Sequence, residues 1–154
     1  MEITTAAIQD AETILGLQKL AYQSEAAIYH DFSIPPLRQT LEELQNEWAS
    51  RVVLKAMLDG RIVGSVRAWE KNGTCFIERL IVHPQFQDRG IGSHLMNEME
   101  MRFTTAQRFE LFTGQKSERN IPLYKRLGYK VFRQERINNK LTFVFMEKRR
   151  KKPQ

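Results

Sequence analysis

A glycine-containing segment between two apolar stretches carries the clearest chemical signal in this 154-residue sequence. It reads HPQFQDRGIGSHLM over residues 83–96, and its second half has the apolar spacing of a helix. The first turn of a helix offers backbone N–H groups without intrahelical partners, and the helix dipole adds partial positive charge there. Gly90 and Gly92 would let a phosphate approach those amides, with Gln87 and Arg89 as further donors.

A turn eased by two glycines, without any ligand, explains the same residues equally well. The spacing fits neither of the two common nucleotide-binding loops. The three-glycine dinucleotide fingerprint is absent, and so is the Gly-Lys-Ser/Thr ending of a phosphate loop. The loop pattern alone therefore leaves an anion site and a bare turn as alternatives.

Strand-like and helical runs precede this segment. Asp-Gly at 59–60 and Asn-Gly at 72–73 separate three strand-like runs, and both pairs are strong signals for type I′ hairpins. We therefore predict an antiparallel three-stranded meander over residues 51–82. EITTA predicts an earlier strand, followed by a helix that begins after Asp10 and a second helix. The apolar stripe of that second helix consists of Leu37, Leu41, Leu44 and Trp48.

The part of the chain after the glycine segment predicts a long helix, a strand in RFELFTG, a short helix and two last strands. Gly128 is the expected C-cap of the short helix. The whole order predicts a mixed α/β sheet of about seven strands flanked by about four helices, and not a doubly wound parallel sheet. The apolar face of the long helix is expected to consist of Ile91, Leu95, Met99 and Phe103.

Composition indicates one globular domain, with 42% hydrophobic and 27% charged residues. No apolar run approaches the roughly 20 residues of a membrane span. The N-terminal residues lack the pattern of a secretory signal, and the single Cys75 forms no internal disulfide, so we expect a cytoplasmic protein. Much of the net charge of +6 lies in EKRRKKPQ. We expect a domain over residues 1–147 and a basic, disordered tail over 148–154, with nonspecific contact to a polyanion as the alternative role of that tail.

The run RLIVHPQFQDRGIGSHLM resembles the acyl-CoA-binding motif of the GCN5-related N-acetyltransferase (GNAT) family. That motif has the pattern Gln/Arg-x-x-Gly-x-Gly/Ala between the fourth strand and the third helix. Gln87, Gly90 and Gly92 match it in order and spacing, and Pro84 and the apolar strand before it match as well. The predicted element order is also similar, from about residue 1 to residue 147. The resemblance implies the GNAT fold, a splay between the fourth and fifth strands, and acetyl-CoA as cosubstrate without a metal.

The resemblance also implies a direction for the cofactor along the chain. Loop amides over residues 87–93 would bind the CoA pyrophosphate, and the end of the fourth strand would pair with the pantetheine amides. The residues concerned are Leu80, Ile81, Val82, Gln87, Asp88, Arg89, Gly90, Ile91, Gly92 and Ser93.

Tyr124 lies in NIPLYKRLGY, which resembles the Leu-Tyr-x-x-x-Gly-Phe/Tyr segment of the family. The resemblance implies that Tyr124 is the general acid that protonates the leaving thiolate; a core tyrosine is the alternative. The family often has an asparagine seven residues earlier, where this chain has Ser117. Either Ser117 or Asn120 would then contact the cofactor, and Asn120 has helix capping as its alternative role.

Glu78 is a carboxylate inside an otherwise apolar strand. A period of two would place it on one face with Leu80 and Val82. Some members of the family use a glutamate on this strand to accept the amine proton, which makes Glu78 the candidate general base. A salt bridge to a neighbouring basic residue is the alternative.

The acceptor is expected over the first two helices and their connection. Acidic side chains there would receive a cationic amine, although an ordinary polar loop explains them as well. The residues of this cluster are Tyr22, Glu25, Tyr29 and Asp31. His30 and His83 do not have the spacing of metal ligands, so we expect no metal site.

Together these features predict an enzyme that moves an acetyl group from acetyl-CoA to a primary amine by direct attack in a ternary complex. The amine belongs to a small molecule, a peptide or a protein, and the enzyme is a monomer or a homodimer without dedicated nucleic-acid or membrane binding. The alternative is a noncatalytic acyl-CoA-binding or sensor module of the same fold. Such a module would need neither Tyr124 nor Glu78, so the presence of both favours an enzyme.

Overall fold

A seven-stranded mixed sheet forms the centre of the protein, in a computed structural model that describes residues 1–150. The strand order is β1-β2-β3-β4-β5-β7-β6, and β4 and β5 are the one parallel pair among the described strands. The strands are β1 (Glu2–Thr5), β2 (Val52–Leu58), β3 (Arg61–Lys71), β4 (Thr74–Val82), β5 (Arg108–Gly114), β6 (Lys130–Arg136) and β7 (Thr142–Arg149). The predicted mixed sheet of seven strands is confirmed.

Both predicted hairpins of the meander are present. Asp59 and Gly60 have φ values of 51° and 77°, and Asn72 and Gly73 have values of 52° and 81°. These positive φ angles are what a type I′ turn requires, and asparagine, aspartate and glycine adopt them at little cost. Local turn chemistry thus sets the register of β2, β3 and β4.

Helices cover both faces of the sheet. They are α1 (Ala11–Ala21), α2 (Gln23–Tyr29), α3 (Pro35–Arg38), α4 (Leu41–Trp48), α5 (Ile91–Arg102) and α6 (Asn120–Arg126), with 3₁₀ turns at Ile8–Asp10 and Pro84–Phe86. The predicted apolar face of α5 is buried at Ile91, Leu95 and Met99. α5 approaches β3 closely because Gly64 lacks a Cβ, which would lie 3.0 Å from Leu95 Cδ1. On the opposite face, α1 packs against α4.

The described residues form six α-helices where about four were expected. The stripe from Leu37 to Trp48 predicted one helix, but the chain breaks at Gln39 and Thr40 into α3 and α4. Thr40 caps α4: its hydroxyl accepts from the Glu43 N–H at 3.1 Å, and Glu43 accepts from the Thr40 N–H at 2.9 Å. This capping box is visible in the sequence as Thr-x-x-Glu and marks the break.

The domain continues past the predicted boundary at residue 147. β7 runs to Arg149, and Lys148 forms a 2.8 Å ion pair with Glu100 of α5. Arg150 donates through Nε to the Ala106 carbonyl at 2.8 Å and through Nη2 to the Phe103 carbonyl at 2.8 Å. These basic residues therefore cover the C-terminal end of α5, where the helix dipole favours cations. Residues 151–154 of the expected tail lie outside the described residues.

The parallel pairing of β4 and β5 stops early. Residues 74–76 pair with residues 108–110, and no further pairs follow, although both strands continue. β5 pairs instead with β7 along its whole length. The predicted splay between the fourth and fifth strands is therefore present, and it opens a gap toward the C-terminal ends of both strands.

Tyr29 of α2 docks on the end of β5, where Gly114 leaves room for it. Its hydroxyl accepts a 2.9 Å hydrogen bond from the Lys116 N–H. A Cβ at Gly114 would collide with that hydroxyl and would lie 2.6 Å from Tyr29 Cζ.

Gly114→Ala is expected to lower the free energy of unfolding by about 1–3 kcal/mol, because the added methyl group overpacks this contact. Gly16→Ala is the matched control: it lies in α1, and its added Cβ would meet nothing within 4 Å. That change should raise the free energy of unfolding by about 0.5–1 kcal/mol, since glycine is a poor helix former. Urea denaturation measures both, and equal effects of the two changes would contradict the packing argument.

Candidate active site

Two adjoining pockets, together called the cleft, lie beside the gap between β4 and β5. The first, here called the loop pocket, lies beside the start of α5 and is lined by Val82, Gln87, Gly90, Gly92 and their neighbours. The second, the inner pocket, lies under α2 and α3 and is lined by Tyr29, Ile34, Glu78, Arg79 and Tyr124 among others. Tyr22, Glu25, Leu80 and Asn120 line both pockets. The two pockets therefore adjoin at these four residues.

The loop pocket contains a row of backbone N–H groups. Within residues 1–150, none of the amides from 87 to 93 donates a hydrogen bond to another protein group, whereas the His94 N–H donates to the Gly90 carbonyl at 3.0 Å. Asp88 and Gly90 have φ values of 62° and 82°, which turn this row of amides toward the start of α5. Such amides at the positive end of a helix favour an anion.

Gly90 and Gly92 are there for different physical reasons. Gly90 has the left-handed conformation that other residues adopt with strain, while its added Cβ would meet only the His94 ring at 3.8 Å. A Cβ at Gly92 would lie 3.3 Å from Leu123 of α6 and 3.8 Å from Leu80. Gly92 therefore lets α5, α6 and β4 pack closely, and Gly90 shapes the loop.

The loop side chains divide between the pocket and its outside. Gln87 Nε2 donates to the Val82 carbonyl at 3.4 Å, and Gln87 lines the loop pocket. The Arg89 guanidinium lies over the Phe86 ring, 5.1 Å from its centroid, and Arg89 is not part of the pocket lining. Asp88 forms an exposed 3.2 Å ion pair with Arg119, which joins the loop to the segment before α6.

Sequence reasoning missed the contribution of α6 to the loop pocket. Arg119, Leu123 and Arg126 line it. Their spacing of four and three residues places them on one helix face, and this was the signal in the sequence. Two of the three side chains are cationic, so they reinforce the preference of the pocket for an anion.

A β-bulge at Arg79 changes which side chains of β4 lie on each face of the sheet. Arg79 has a φ of 54°, and the ladder pairs Glu78 with Arg67 but Ile81 with Ser65. Since Arg67 and Ser65 are two residues apart, Glu78 and Ile81 share a face. Leu80 and Val82 pack instead into the core under α5. The expectation that Glu78, Leu80 and Val82 share one face is therefore wrong, because the extra residue shifts the alternation by one.

Glu78 forms a salt bridge on its face of the sheet. Its Oε1 accepts from Arg51 Nε at 2.8 Å, and the Arg51 guanidinium lies 5.3 Å from the centroid of the Trp69 ring. The ion pair that was the alternative to a catalytic role is therefore present. Glu78 nevertheless lines the inner pocket together with Tyr124.

Tyr124 is 6% exposed and reaches the inner pocket from α6. Its ring meets Tyr129 edge-on at 6.0 Å, while its hydroxyl has no hydrogen-bond partner within residues 1–150 and is not sealed from solvent. Burial raises the pKa of Tyr124 well above its usual value, and the nearby Tyr22 and Glu25 raise it further. The phenol is therefore a neutral proton donor at physiological pH.

The start of α6 separates the roles of Ser117 and Asn120. Ser117 is buried, and its hydroxyl accepts from the Asn120 N–H at 3.2 Å and donates to Glu25 at 2.9 Å. Ser117 thus satisfies the first N–H of α6, although the N-cap position itself is Arg119. The Asn120 side chain donates to Thr113 Oγ1 at 3.3 Å and lines both pockets, whereas Ser117 lines neither.

Three of the four residues expected to meet the acceptor line the inner pocket: Tyr22, Glu25 and Tyr29, of which Tyr29 is otherwise buried against Gly114. Asp31 accepts from the N–H and hydroxyl of Ser33 and lines neither pocket. Burial raises the pKa of Glu25, although the Ser117 hydrogen bond and Arg119 oppose that rise.

Cys75 and the histidines contribute no second reactive centre to the cleft. Cys75 is fully buried, and burial raises the pKa of its thiol to about 12, so it is protonated and unreactive at neutral pH. His30 ends α2 in a left-handed conformation, and His83 accepts from the Gln85 N–H. Within residues 1–150, no three His, Cys, Asp or Glu side chains are grouped as metal ligands would be.

The sequence of residues 16–129 matches the Acetyltransferase (GNAT) family. The chain belongs to this family. Its fold is shared with the PaiA N-acetyltransferase of Thermoplasma acidophilum, solved in complex with coenzyme A. That structure has a TM-score of 0.80 and 21% identity, over 97% of this chain and 98% of that one. The GNAT match agrees with the glycine segment and with the splayed sheet.

Two other GNAT-like structures show how widely acceptors differ on this fold. The ribosomal-protein-S18-alanine N-acetyltransferase of Escherichia coli has 14% identity and a TM-score of 0.77, over 96% of this chain and 92% of that one. An aminoglycoside 6′-N-acetyltransferase complexed with coenzyme A has 18% identity and a TM-score of 0.75, over the full length of both. Such identities show the fold alone. No curated protein matches this GNAT chain by sequence.

Membrane crossing by a helix finds no support in this GNAT chain. None of the helices within residues 1–150 has both the length and the apolar character that crossing requires.

The buried carboxyl of Glu25 should make stability depend on pH. Its folded-state pKa is raised above the ordinary value of 4.5, so the folded state holds the proton more tightly than the unfolded state does. Stability relative to Glu25→Gln is therefore greatest below the unfolded-state pKa and falls as the pH rises through the folded-state pKa. Glutamine still accepts from Ser117 but does not titrate. Urea unfolding of both proteins between about pH 4 and 8 measures the effect. A wild-type stability that rises with pH relative to that of the variant would contradict it.

Proposed function

We propose that this protein is an acetyl-CoA-dependent N-acetyltransferase that transfers the acetyl group to a primary amine by direct attack in a ternary complex. The observation that carries the proposal is the pair of adjoining pockets, one beside unpartnered loop amides and the other beside the free hydroxyl of Tyr124. Family membership and structural neighbours that hold coenzyme A support it.

Acetyl-CoA would enter through the loop pocket. The pyrophosphate would accept hydrogen bonds from the amides of residues 87–93, near the cationic side chains of Arg119 and Arg126. Beyond the three residue pairs with β5, β4 presents a free edge to the cleft, so Leu80 to Val82 can pair with the pantetheine amides. This direction brings the thioester to the splay, beside Asn120 and Tyr124.

The acceptor would approach through the inner pocket. Its neutral nitrogen attacks the thioester carbonyl carbon, a C–N bond forms, and the C–S bond breaks as the tetrahedral intermediate collapses. The departing thiolate takes the phenolic proton of Tyr124, which burial keeps protonated until that step. Before the attack, Glu78 accepts the proton of the ammonium form of the acceptor through water, while Arg51 holds the Glu78 carboxylate in place.

The free hydroxyl of Tyr124 favours an enzyme over a noncatalytic acyl-CoA-binding module. A buried tyrosine that served only packing would satisfy its hydroxyl within the protein, as Tyr29 and Tyr129 do. Tyr124 has no such partner within residues 1–150 and faces the pocket.

Acetyl-CoA binding is the first test, by calorimetry with two matched glycine variants. Gly90 and Gly60 have similar φ values of 82° and 77°, and neither added Cβ would meet a close contact. Alanine at either position should cost about 1–2 kcal/mol of stability through backbone strain. Gly90→Ala should in addition weaken acetyl-CoA binding by about tenfold or more, because the loop amides move; Gly60→Ala should not. No binding to the wild type at about 1 mM acetyl-CoA would refute the proposal.

The acid and base roles are tested on any amine that the wild type acetylates. Tyr124→Phe should lower kcat by about 100-fold, because the thiolate leaves without a proton donor. Glu78→Gln should lower kcat/KM most at low pH, with a deficit that shrinks as the pH approaches the pKa of the amine and the neutral amine becomes abundant.

Arg51→Gln is the control for Glu78, since it breaks the same ion pair and keeps the carboxylate. If Glu78 accepts the proton, only Glu78→Gln distorts the pH profile. Parallel profiles for both variants would assign Glu78 to the salt bridge alone. Unchanged turnover by Tyr124→Phe would remove the general acid.

A further inference from the structure

We propose that the acceptor is a small amine that carries a carboxylate and an apolar side chain, of the kind of an apolar α-amino acid, and that Arg79 binds that carboxylate. The inference rests on the proposed acetyltransferase function and names its substrate class. The inference derives from a cationic side chain in the inner pocket, Arg79, which has no counter-ion within residues 1–150.

Arg79 is held in the inner pocket by the bulge of β4. Its left-handed backbone, with φ 54°, occurs where β4 carries one more residue than β3 opposite it. Its Nε is sealed from solvent without a hydrogen-bond partner, and Arg79 forms no ion pair within residues 1–150. Arg79 lines the inner pocket with a charge that no ion pair within residues 1–150 balances, so its presence there indicates an anionic ligand.

The two neighbouring arginines already have partners. Arg51 pairs with Glu78 at 2.8 Å. Arg67 is 1% exposed, donates to Gln18 at 3.0 Å and to Gln39 at 3.3 Å, and lies 3.4 Å from Glu47. Glu78 and Glu47 are therefore engaged with Arg51 and Arg67, although the Nε of Arg67 is also sealed without a hydrogen bond, and Arg79 forms no ion pair within residues 1–150.

The charges of Arg67 and Arg79 also repel each other. Burial lowers the pKa of Arg67, and the nearby Arg79 opposes the raising effect of Glu47 on that pKa. An anion bound at Arg79 would relieve this repulsion. A carboxylate matches the planar guanidinium group, which donates two parallel hydrogen bonds to it.

The walls of the inner pocket favour an acceptor with an apolar side chain. They are largely apolar, and their members include Ile34, Phe112, Leu141 and Phe143. Phe112 is 43% exposed although it packs 4.7 Å from Phe143 between ring centroids, so an apolar ligand group would cover it. Glu25 lines the passage to the loop pocket and lies near Tyr124, where it would receive the amine. A polyamine would instead bring a second cation toward Arg79.

Matched acceptors test the inference on the wild-type protein. L-Phenylalanine, L-phenylalaninamide and phenethylamine share one side chain, and only the first carries a carboxylate. We expect kcat/KM for L-phenylalanine to exceed that for either analogue by about tenfold or more, when compared at equal concentrations of neutral amine, because a hydrogen bond to a charged group is lost with the carboxylate. Equal or better turnover of the analogues would overturn the inference.

Variants of Arg79 assign the preference to its side chain. Arg79→Gln should bring the ratio of acid to amide close to one, and Arg79→Lys should restore part of it. Arg102→Gln, which changes an exposed arginine that lines neither pocket, should leave the ratio unchanged. Acetyl-CoA affinity equal to the wild type would show that each variant is folded. A ratio that survives in Arg79→Gln would overturn the assignment.

Spermidine in the same assay distinguishes the two levels of the proposal. If spermidine or the amide is acetylated and the amino acid is not, the acceptor inference fails and the acetyltransferase function stands. If the protein binds acetyl-CoA and acetylates none of these amines, the inference fails for this class of acceptor. If it does not bind acetyl-CoA either, both fail.

Discussion

The early end of the pairing between β4 and β5 is the constraint on which the rest of this structure depends. Only three residue pairs join the two parallel strands, and the strands then separate. Each additional pair would have satisfied backbone groups that the cleft now leaves free on β4. These free groups are what the proposed pairing with a ligand would use, and the separation lies where the loop pocket and the inner pocket adjoin.

Contacts from α2 and α6 hold the open end of the sheet in place. Tyr29 of α2 docks on Gly114, and Glu25 accepts from Ser117, so α2 is attached to the chain that follows β5. Asn120 of α6 donates to Thr113 on β5 itself. These hydrogen bonds are partly buried and act between rigid elements, so the width of the cleft is defined before any ligand arrives.

The electrostatics of the cleft follow from the same separation. On the loop side, backbone amides and the cations of α6 create a positive region at the start of α5. On the inner side, the bulge turns Arg79 into the pocket, while Arg51 and Arg67 are compensated by carboxylates. Burial of Glu25 and Tyr124 between the two sides favours their protonated forms. Cationic groups thus lie on both sides of the cleft, with the protonated Glu25 and Tyr124 between them.

Local chemistry determined much of this protein from its sequence alone. The two hairpins follow from Asp-Gly and Asn-Gly, the loop conformation needs Gly90, and the end of α6 needs Gly128, whose φ is 98°. These features depend on neighbouring residues, so a sequence displays them. The tertiary structure alone decided the bulge at Arg79, because an extra residue is defined only against its partner strand. It also brought Glu25 and Tyr29 to the inner pocket, through partners 92 and 87 residues away. Such contacts are set by the packing of whole elements, which no local pattern encodes.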